Sequence, residues 1–250
     1  MKFRLLPLTR KSGAIQMAID EAILNARIKK LVPNTLRFYT WKPSCLTIGY
    51  FQSLEKEVDF DKASELGVDI VRRYTGGGAV YHQHELTYSI VVDEKSAGID
   101  IIKSYEKICS ALIEGFRLLG FQAKFAPIND ILINGKKISG SAQTRRNGII
   151  LQHGTILIDV DIKKMFALLK VADEKLKDKM IETVEQRVTS LNKESGLKFD
   201  TVEIFGAMVA GFQTIFGMEF NFGKLTPGEL IGAQKLKIKK YGNKSWLKRL

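Results

Sequence analysis

The chain has 250 residues, 45% hydrophobic and 26% charged, and a formal charge of +12 at neutral pH. That is enough for one large domain or two small ones with a sizeable core, while no apolar run reaches the ~18 residues of a membrane span. Only Cys45 and Cys109 are present, which excludes a disulfide framework and a zinc-finger pattern, and the start MKFRLLPLTRKSG has too short an apolar core for a secretory signal, so a cytoplasmic protein is expected.

Helical spacing places Ile15, Ala18, Ile19, Ala22 and Ala26 on one face of an N-terminal helix. Strand-forming residues then dominate 36–39, 46–50, 68–73 and 79–92. A second helix carries Tyr105, Ile108, Leu112, Phe116 and Leu119 and is ended by Gly120. The segment DILINGKKISG has Asn134-Gly135 at its centre, a strong hairpin signal, and 149–160 reads as another strand. A short helix starting near Asp161 carries Met165, Phe166 and Leu169. Asp200 caps a helix with Phe205, Met208, Val209, Phe212 and Ile215, which Gly217 ends. Thr226-Pro227-Gly228-Glu229 is a capping-box signature opening a last, basic helix. From 224 to 250 there are eight Lys or Arg and one acid, Glu229, a solvated basic face or a docking surface for an acidic partner. It lacks the interleaved aromatics of a nucleic-acid site, so neither nucleic acid nor membrane is expected as a partner. Strands interleaved with helices point to an α/β (α+β-like) domain with a mixed, largely antiparallel sheet flanked by helices. A doubly wound dinucleotide fold is excluded: GGGAV lacks the G-x-G-x-x-G spacing and runs into strand, not helix.

The stretch VRRYTGGGAVYHQHELTYSIV, 71–91, concentrates the chemistry. Gly76, Gly77 and Gly78 allow positive φ and close approach of another object. A two-residue hairpin needs at most two glycines. The neighbouring Arg72 and Arg73 supply forked donors suited to phosphate or carboxylate. A turn flanked by surface arginines is the plainer alternative. After the Asn134-Gly135 turn, strand alternation sends Lys136 and Lys137 to opposite faces, so one can enter a cleft and meet developing negative charge. His82 and His84 stand at i, i+2, but no third ligand nearby supports a metal there.

RRYTGGGAVYH, NDILINGKKISGSAQ and the closing LTPGEL and KKYGNKSW resemble the lipoate-protein ligase and octanoyltransferase family. The resemblance covers essentially the whole chain. It implies the catalytic fold shared with biotin protein ligases and related to class II aminoacyl-tRNA synthetases. It also implies one catalytic domain over 1–250, without the C-terminal accessory domain of longer ligases. On this resemblance Arg72 holds phosphate oxygens, and Gly76, Gly77 and Gly78 lie against an acyl-adenylate. Lys137 is the catalytic cation at the carboxyl–phosphate junction, near Gly140. Tyr81, His82 and the Phe38/Tyr39 strand shape the pocket. Asn129 and Asp130 sit near phosphate, with Asp130 as a candidate Mg²⁺ ligand. The implied partners are lipoyl acceptor domains of 2-oxoacid dehydrogenases or the glycine cleavage H protein, together with a separate accessory protein.

Cysteine separates the branches. In the resembling octanoyltransferases a thioester cysteine sits just before the hairpin, where this sequence reads Ala126-Pro127-Ile128-Asn129-Asp130. Without it, activation by ATP is expected: an ATP- and Mg²⁺-dependent lipoate-protein ligase that forms lipoyl-AMP and then an amide with an acceptor lysine. Glu85-Leu86-Thr87-Tyr88, Gln143-Thr144-Arg145 and Gln152-His153-Gly154 look instead like the transferase branch. The alternatives are therefore an octanoyltransferase acting from an octanoyl-carrier protein and a non-catalytic lipoate-binding module.

Overall fold

The computed structural model describes residues 2–171, 173–217 and 219–250. Its strands, in chain order, are β1 (Lys2–Leu5), β2 (Thr9–Lys11), β3 (Thr35–Trp41), β4 (Cys45–Ile48), β5 (Asp69–Arg72), β6 (Val80–His82), β7 (Glu85–Asp93), β8 (Ala123–Ala126), β9 (Asp130–Ile133), β10 (Lys136–Arg146), β11 (Ile149–Leu157) and β12 (Glu219–Phe222). A nine-stranded sheet runs β12-β1-β3-β7-β11-β10-β9-β8, with β2 also on β3, and a three-stranded sheet runs β5-β4-β6. In the large sheet β1 is parallel to β12 and β3, and β2 is parallel to β3; the remaining pairs are antiparallel. The mixed, mostly antiparallel sheet expected from the sequence is what forms.

Alternation along β3, β7 and β11 divides the core. Leu36, Phe38, Tyr88, Ile90 and Ile150 face the helices Ile101–Leu118 and Thr201–Phe216, where Phe38 meets Phe205 and Phe212 edge-on. Tyr39, Trp41, Val91 and Leu151 face the helix Gly13–Ile28 on the other side. Phe38 and Tyr39 therefore cannot both shape one pocket, and only Tyr39 is on the side where a pocket forms.

The expected punctuation holds. Asp200 accepts from Val202 N, and Gly217 closes its helix with φ +57°; Asp100, not singled out in the sequence, caps its helix in the same way by accepting from Lys103 N. Asn134 and Gly135 both have positive φ, as a type I′ hairpin turn requires. The same dipeptide at Asn147-Gly148 makes the β10–β11 turn, a signal equally present in the sequence. The Thr226/Glu229 capping box forms, and the Glu229 carboxylate also takes a two-pronged contact from the buried Arg4 at 2.6 and 2.8 Å. Beyond Leu236 the basic segment departs from a single helix: a π-helical turn, Lys237–Tyr241, precedes a short helix Lys244–Leu247. The helix Glu174–Arg187 is not legible in sequence, because KLKDKMIETVEQR is charged on most faces and lacks a clean apolar stripe.

Gly115 and Gly211 let the helices Ile101–Leu118 and Thr201–Phe216 touch backbone to backbone. A Cβ on Gly211 would lie 2.2 Å from Ala111 O and 2.6 Å from Gly115 N, whereas one on Gly206 would meet nothing. Gly211→Ala is expected to cost about 1–3 kcal/mol from overpacking, while Gly206→Ala should add up to about 1 kcal/mol through helix propensity. Urea unfolding midpoints of the two variants check the opposite signs.

Candidate active site

A cavity of about 270 Å³ opens between the two sheets, on the Gly13–Ile28 side. Its wall is mostly apolar and includes Met17, Tyr39, Val80, Leu157, Met165 and Val184, the last from the Glu174–Arg187 helix. The volume is just below the roughly 300–1,000 Å³ usual for small-molecule pockets. The Gly77–Gly78 rim is exposed and Asn129 and Lys137 are half-buried, whereas Trp41, Thr47, His82, Thr87 and His153 are buried. The cavity thus has a charged mouth and an enclosed polar end.

At the mouth, Lys137 Nζ lies 2.7 Å from Asp130 Oδ1 across the β9–β10 hairpin. Gly140 makes this possible, since a Cβ there would stand 2.8 Å from that Nζ. Lys136, one residue earlier, is not on the cavity wall. Asn129 lines the cavity and donates from Nδ2 to Ser141 O at 2.6 Å.

At the enclosed end a hydroxyl, an imidazole and a carboxylate stand in line. Thr47 Oγ1 is 2.8 Å from His82 Nε2, and His82 Nδ1 is 2.6 Å from Glu85 Oε1. The Trp41 ring stacks on His82 at 4.1 Å, and its Nε1 donates to Thr87 Oγ1 at 2.8 Å. A second such line joins Thr75 to His153 at 2.7 Å and His153 to Asp20 at 3.1 Å, with Arg37 on the other Asp20 oxygen at 2.8 Å. Burial raises the Asp20 carboxyl, but Arg37 and His153 outweigh it and hold the group below the usual range. Burial lowers the His153 imidazole, more than Asp20 restores it, so the ring is neutral near pH 7.

The two consecutive arginines part company. Arg72 is fully buried and donates to five backbone carbonyls, those of Gly49, Tyr50, Gln52, Trp246 and Leu247, and it does not line the cavity. The phosphate role expected for it does not fit: its donors already have partners, and they hold the C-terminal segment against β5. Arg73 takes the cavity position instead. It donates to Thr47 Oγ1 at 2.6 Å and to the carbonyls of Gly76 and Gly78, both at 2.9 Å. Burial pulls its guanidinium down to about 10, still charged at neutral pH.

The triple glycine now has a local reason. Gly77 has φ +93°, and a Cβ on the facing Gly49 would strike Gly77 O at 1.9 Å. Cβ atoms on Gly76 and Gly78 would meet nothing, so those positions leave the rim open. Of the residues expected at the site, Gly77, Gly78, Tyr81, His82, Asn129, Lys137 and Gly140 line the cavity. Gly76 joins them through Arg73, and Asp130 stands behind Lys137. Asp130 Oδ1 pairs with Lys137, and no three His, Cys, Asp or Glu converge among the described residues. Arg73, paired with Arg72 in the sequence reading, completes the polar end together with Thr47, Glu85 and His153, which were not expected there; the ELTY and QHG stretches point to Glu85 and His153, and no local pattern marks Thr47.

Residues 12–213 match the lipoyl protein ligase A/B catalytic domain. The chain belongs to this family. It is 38% identical over 95% of both chains to "Octanoyltransferase LipM" of Kyrpidia tusciae. It superposes with a TM-score of 0.91 and 33% identity on a structure described as a bi-partite lipoate protein ligase and its E2 lipoyl domain from Thermoplasma acidophilum, covering 100% of this chain and 98% of that one. A lipoate-protein ligase A bound with ATP gives 0.86 and 30%, each chain covered in full. These relatives correct the expectation of an ATP-dependent ligase: those named octanoyltransferase are 34–39% identical over 93–98% of this chain. Family members with that name stand nearer in sequence than these two ligase structures. The stretches that look transferase-like form one ladder across the sheet. Arg145 donates to Gln143 at 2.8 Å, Gln143 to Gln152 at 2.8 Å, and Gln152 to Tyr88 OH at 2.7 Å.

The depressed His153 pKa sets a pH dependence. The unfolded chain binds this proton near pH 6.5 and the folded chain only at lower pH, so the stability from the neutral ring is present above about pH 6.5 and lost as pH falls toward the folded value. Wild type should lose stability between pH 7 and pH 5, and His153→Gln should lose less over that interval. Denaturant midpoints at the two pH values measure both.

Proposed function

We propose that this chain is an octanoyltransferase that moves an octanoyl group from a thioester on a carrier protein to the ε-amine of a lysine on a lipoyl acceptor domain. The observation that carries the reading is the run of relatives with that name along nearly the whole chain. The site supports it. The enclosed apolar wall suits a saturated chain, and the cation at the mouth suits a carbonyl that becomes an oxyanion. The solved family member described together with its E2 lipoyl domain supports the acceptor class. No phosphate chemistry is required, in keeping with the engagement of Arg72 by carbonyls and of Asp130 by Lys137.

In this reading the acyl chain runs inward past Val80, Leu157 and Met165, and its carbonyl stops at Lys137. The Lys137 ammonium, oriented by Asp130, donates to the carbonyl oxygen as the amine adds and charge develops. Gly77 and Gly78 leave room at the rim for the donor's thioester arm. His82 and His153, each tied to a carboxylate, fix the inner wall and with it the chain length accepted.

Lys137→Ala should lower the rate of octanoyl transfer by about 10²–10³-fold, the usual loss for one donor to an oxyanion, and Lys136→Ala should keep most of it. The assay is transfer from octanoyl-carrier protein to a purified lipoyl domain without ATP, followed by mass. Equal losses in both variants would remove Lys137 from its role. Wild-type protein that transfers nothing unless ATP is added would overturn the octanoyltransferase reading.

A further inference from the structure

We infer, resting on the octanoyltransferase reading, that this chain transfers the acyl group without an acyl-enzyme: the acceptor lysine attacks the donor thioester directly while both proteins are bound. An acyl-enzyme needs a nucleophile on the cavity wall, and the thiols are elsewhere. Cys45 is fully buried in the core beneath the Gly13–Ile28 helix, so close that a Cβ on Gly13 would stand 2.5 Å from its Sγ. Cys109 is fully buried on the Ile101–Leu118 helix, in the core cluster on the opposite side of the nine-stranded sheet. Neither borders the cavity. Burial raises both thiols, Cys109 to about 12, so neither supplies thiolate at neutral pH.

Thr47, Ser141 and Lys137 on the wall are no better placed. Thr47 has an imidazole to take its proton, but it is fully buried and its oxygen already contacts His82 and Arg73. Ser141 pairs with Tyr88 OH at 2.8 Å and with the buried Cys109 thiol behind it, and has no base beside it. Acylation of Lys137 would give an amide, which does not pass its acyl group onward. What the mouth does offer is a fixed cation at the carbonyl and an open glycine rim.

The step balances without any enzyme-bound intermediate. The neutral acceptor nitrogen attacks the thioester carbonyl carbon and the C–N bond forms. The tetrahedral oxyanion collapses, the C–S bond breaks, and the carrier sulfur leaves as a thiol with the proton given up by the amine. Donor and acceptor must then occupy the enzyme together, and the free carrier thiol appears only when acceptor is present.

The test uses wild-type protein, octanoyl-carrier protein and a lipoyl domain. Initial rates over a grid of both substrates should give intersecting double-reciprocal lines; parallel lines would mark a ping-pong acyl-enzyme and overturn the inference. Incubation with donor alone should leave the enzyme mass unchanged, and a gain of one octanoyl group, on any residue, would overturn it as well. A Cys45→Ala, Cys109→Ala double variant that folds should keep transfer within about threefold of wild type, allowing for cavities left in the core; a folded variant with none would overturn the inference. The wild-type kinetics and mass decide the matter if that variant does not fold. Absence of any transfer from the thioester in wild type would instead sink the octanoyltransferase reading and this inference together, an outcome distinct from transfer through an acyl-protein.

Discussion

Arg72 and Arg73 sit side by side at the end of one strand, and alternation sends their guanidinium groups in opposite directions. Both are buried. Neither makes an ion pair with a carboxylate among the described residues; each is held by carbonyl or hydroxyl oxygens. Taking a cation out of water costs several kcal/mol, and hydrogen bonds to a charged group return roughly 1.5–3 kcal/mol each, so each arginine persists only while its full set of acceptors stays in place. That constraint organises the molecule. Arg72 ties the 49–52 turn and the C-terminal segment to β5, and Trp246 answers by donating its Nε1 to Arg72 O at 3.0 Å. Arg73 ties β4 to the glycine loop and so shapes the cavity rim.

The C-terminal segment owes its place to the same arrangement. Lys240 lies over Tyr74 at 4.2 Å and Trp246 at 4.1 Å while pairing with Glu21 at 2.7 Å, and Arg249 covers Tyr50 at 3.9 Å. Part of the basic charge that looks free in sequence is therefore laid on aromatic rings, where cation–π attraction adds about 0.5–2 kcal/mol per contact. These rings flank the turn that Arg72 holds, so tail, turn and glycine loop form one connected unit. The cavity inherits its rim from one end of that unit.

The relatives named octanoyltransferase and the solved structures described as ligases carry different chemistries. Transfer from a thioester and transfer from an adenylate both end in attack by a lysine amine on an activated acyl group. They differ in what leaves. Here the Arg145–Gln143–Gln152–Tyr88 ladder follows the residues that look transferase-like. The arginine expected at a phosphate is enclosed by carbonyls. Both thiols are buried and lie off the cavity wall.

Features dictated by a few consecutive residues are legible in the amino-acid order alone. Asn134-Gly135 has to turn because both positions accept positive φ. Asp200 and Thr226 have to cap helices because their oxygens reach the free amides. The resemblance, carried by the residues around Lys137 and the glycines, names Tyr81, His82 and Gly140 as site residues and puts Asn129 near phosphate; all four line the cavity. Tertiary packing had to settle which of two adjacent arginines faces the cavity and that Phe38 and Tyr39 serve opposite cores. It also had to lay the Glu174–Arg187 helix over part of the slot. Pairing β1 with β12 joins the two ends of the chain, and no local pattern announces it. One cause underlies the division. Backbone conformation at a turn or cap is set by neighbours in sequence, whereas the direction and partner of a side chain are set by what packs against it from far along the chain.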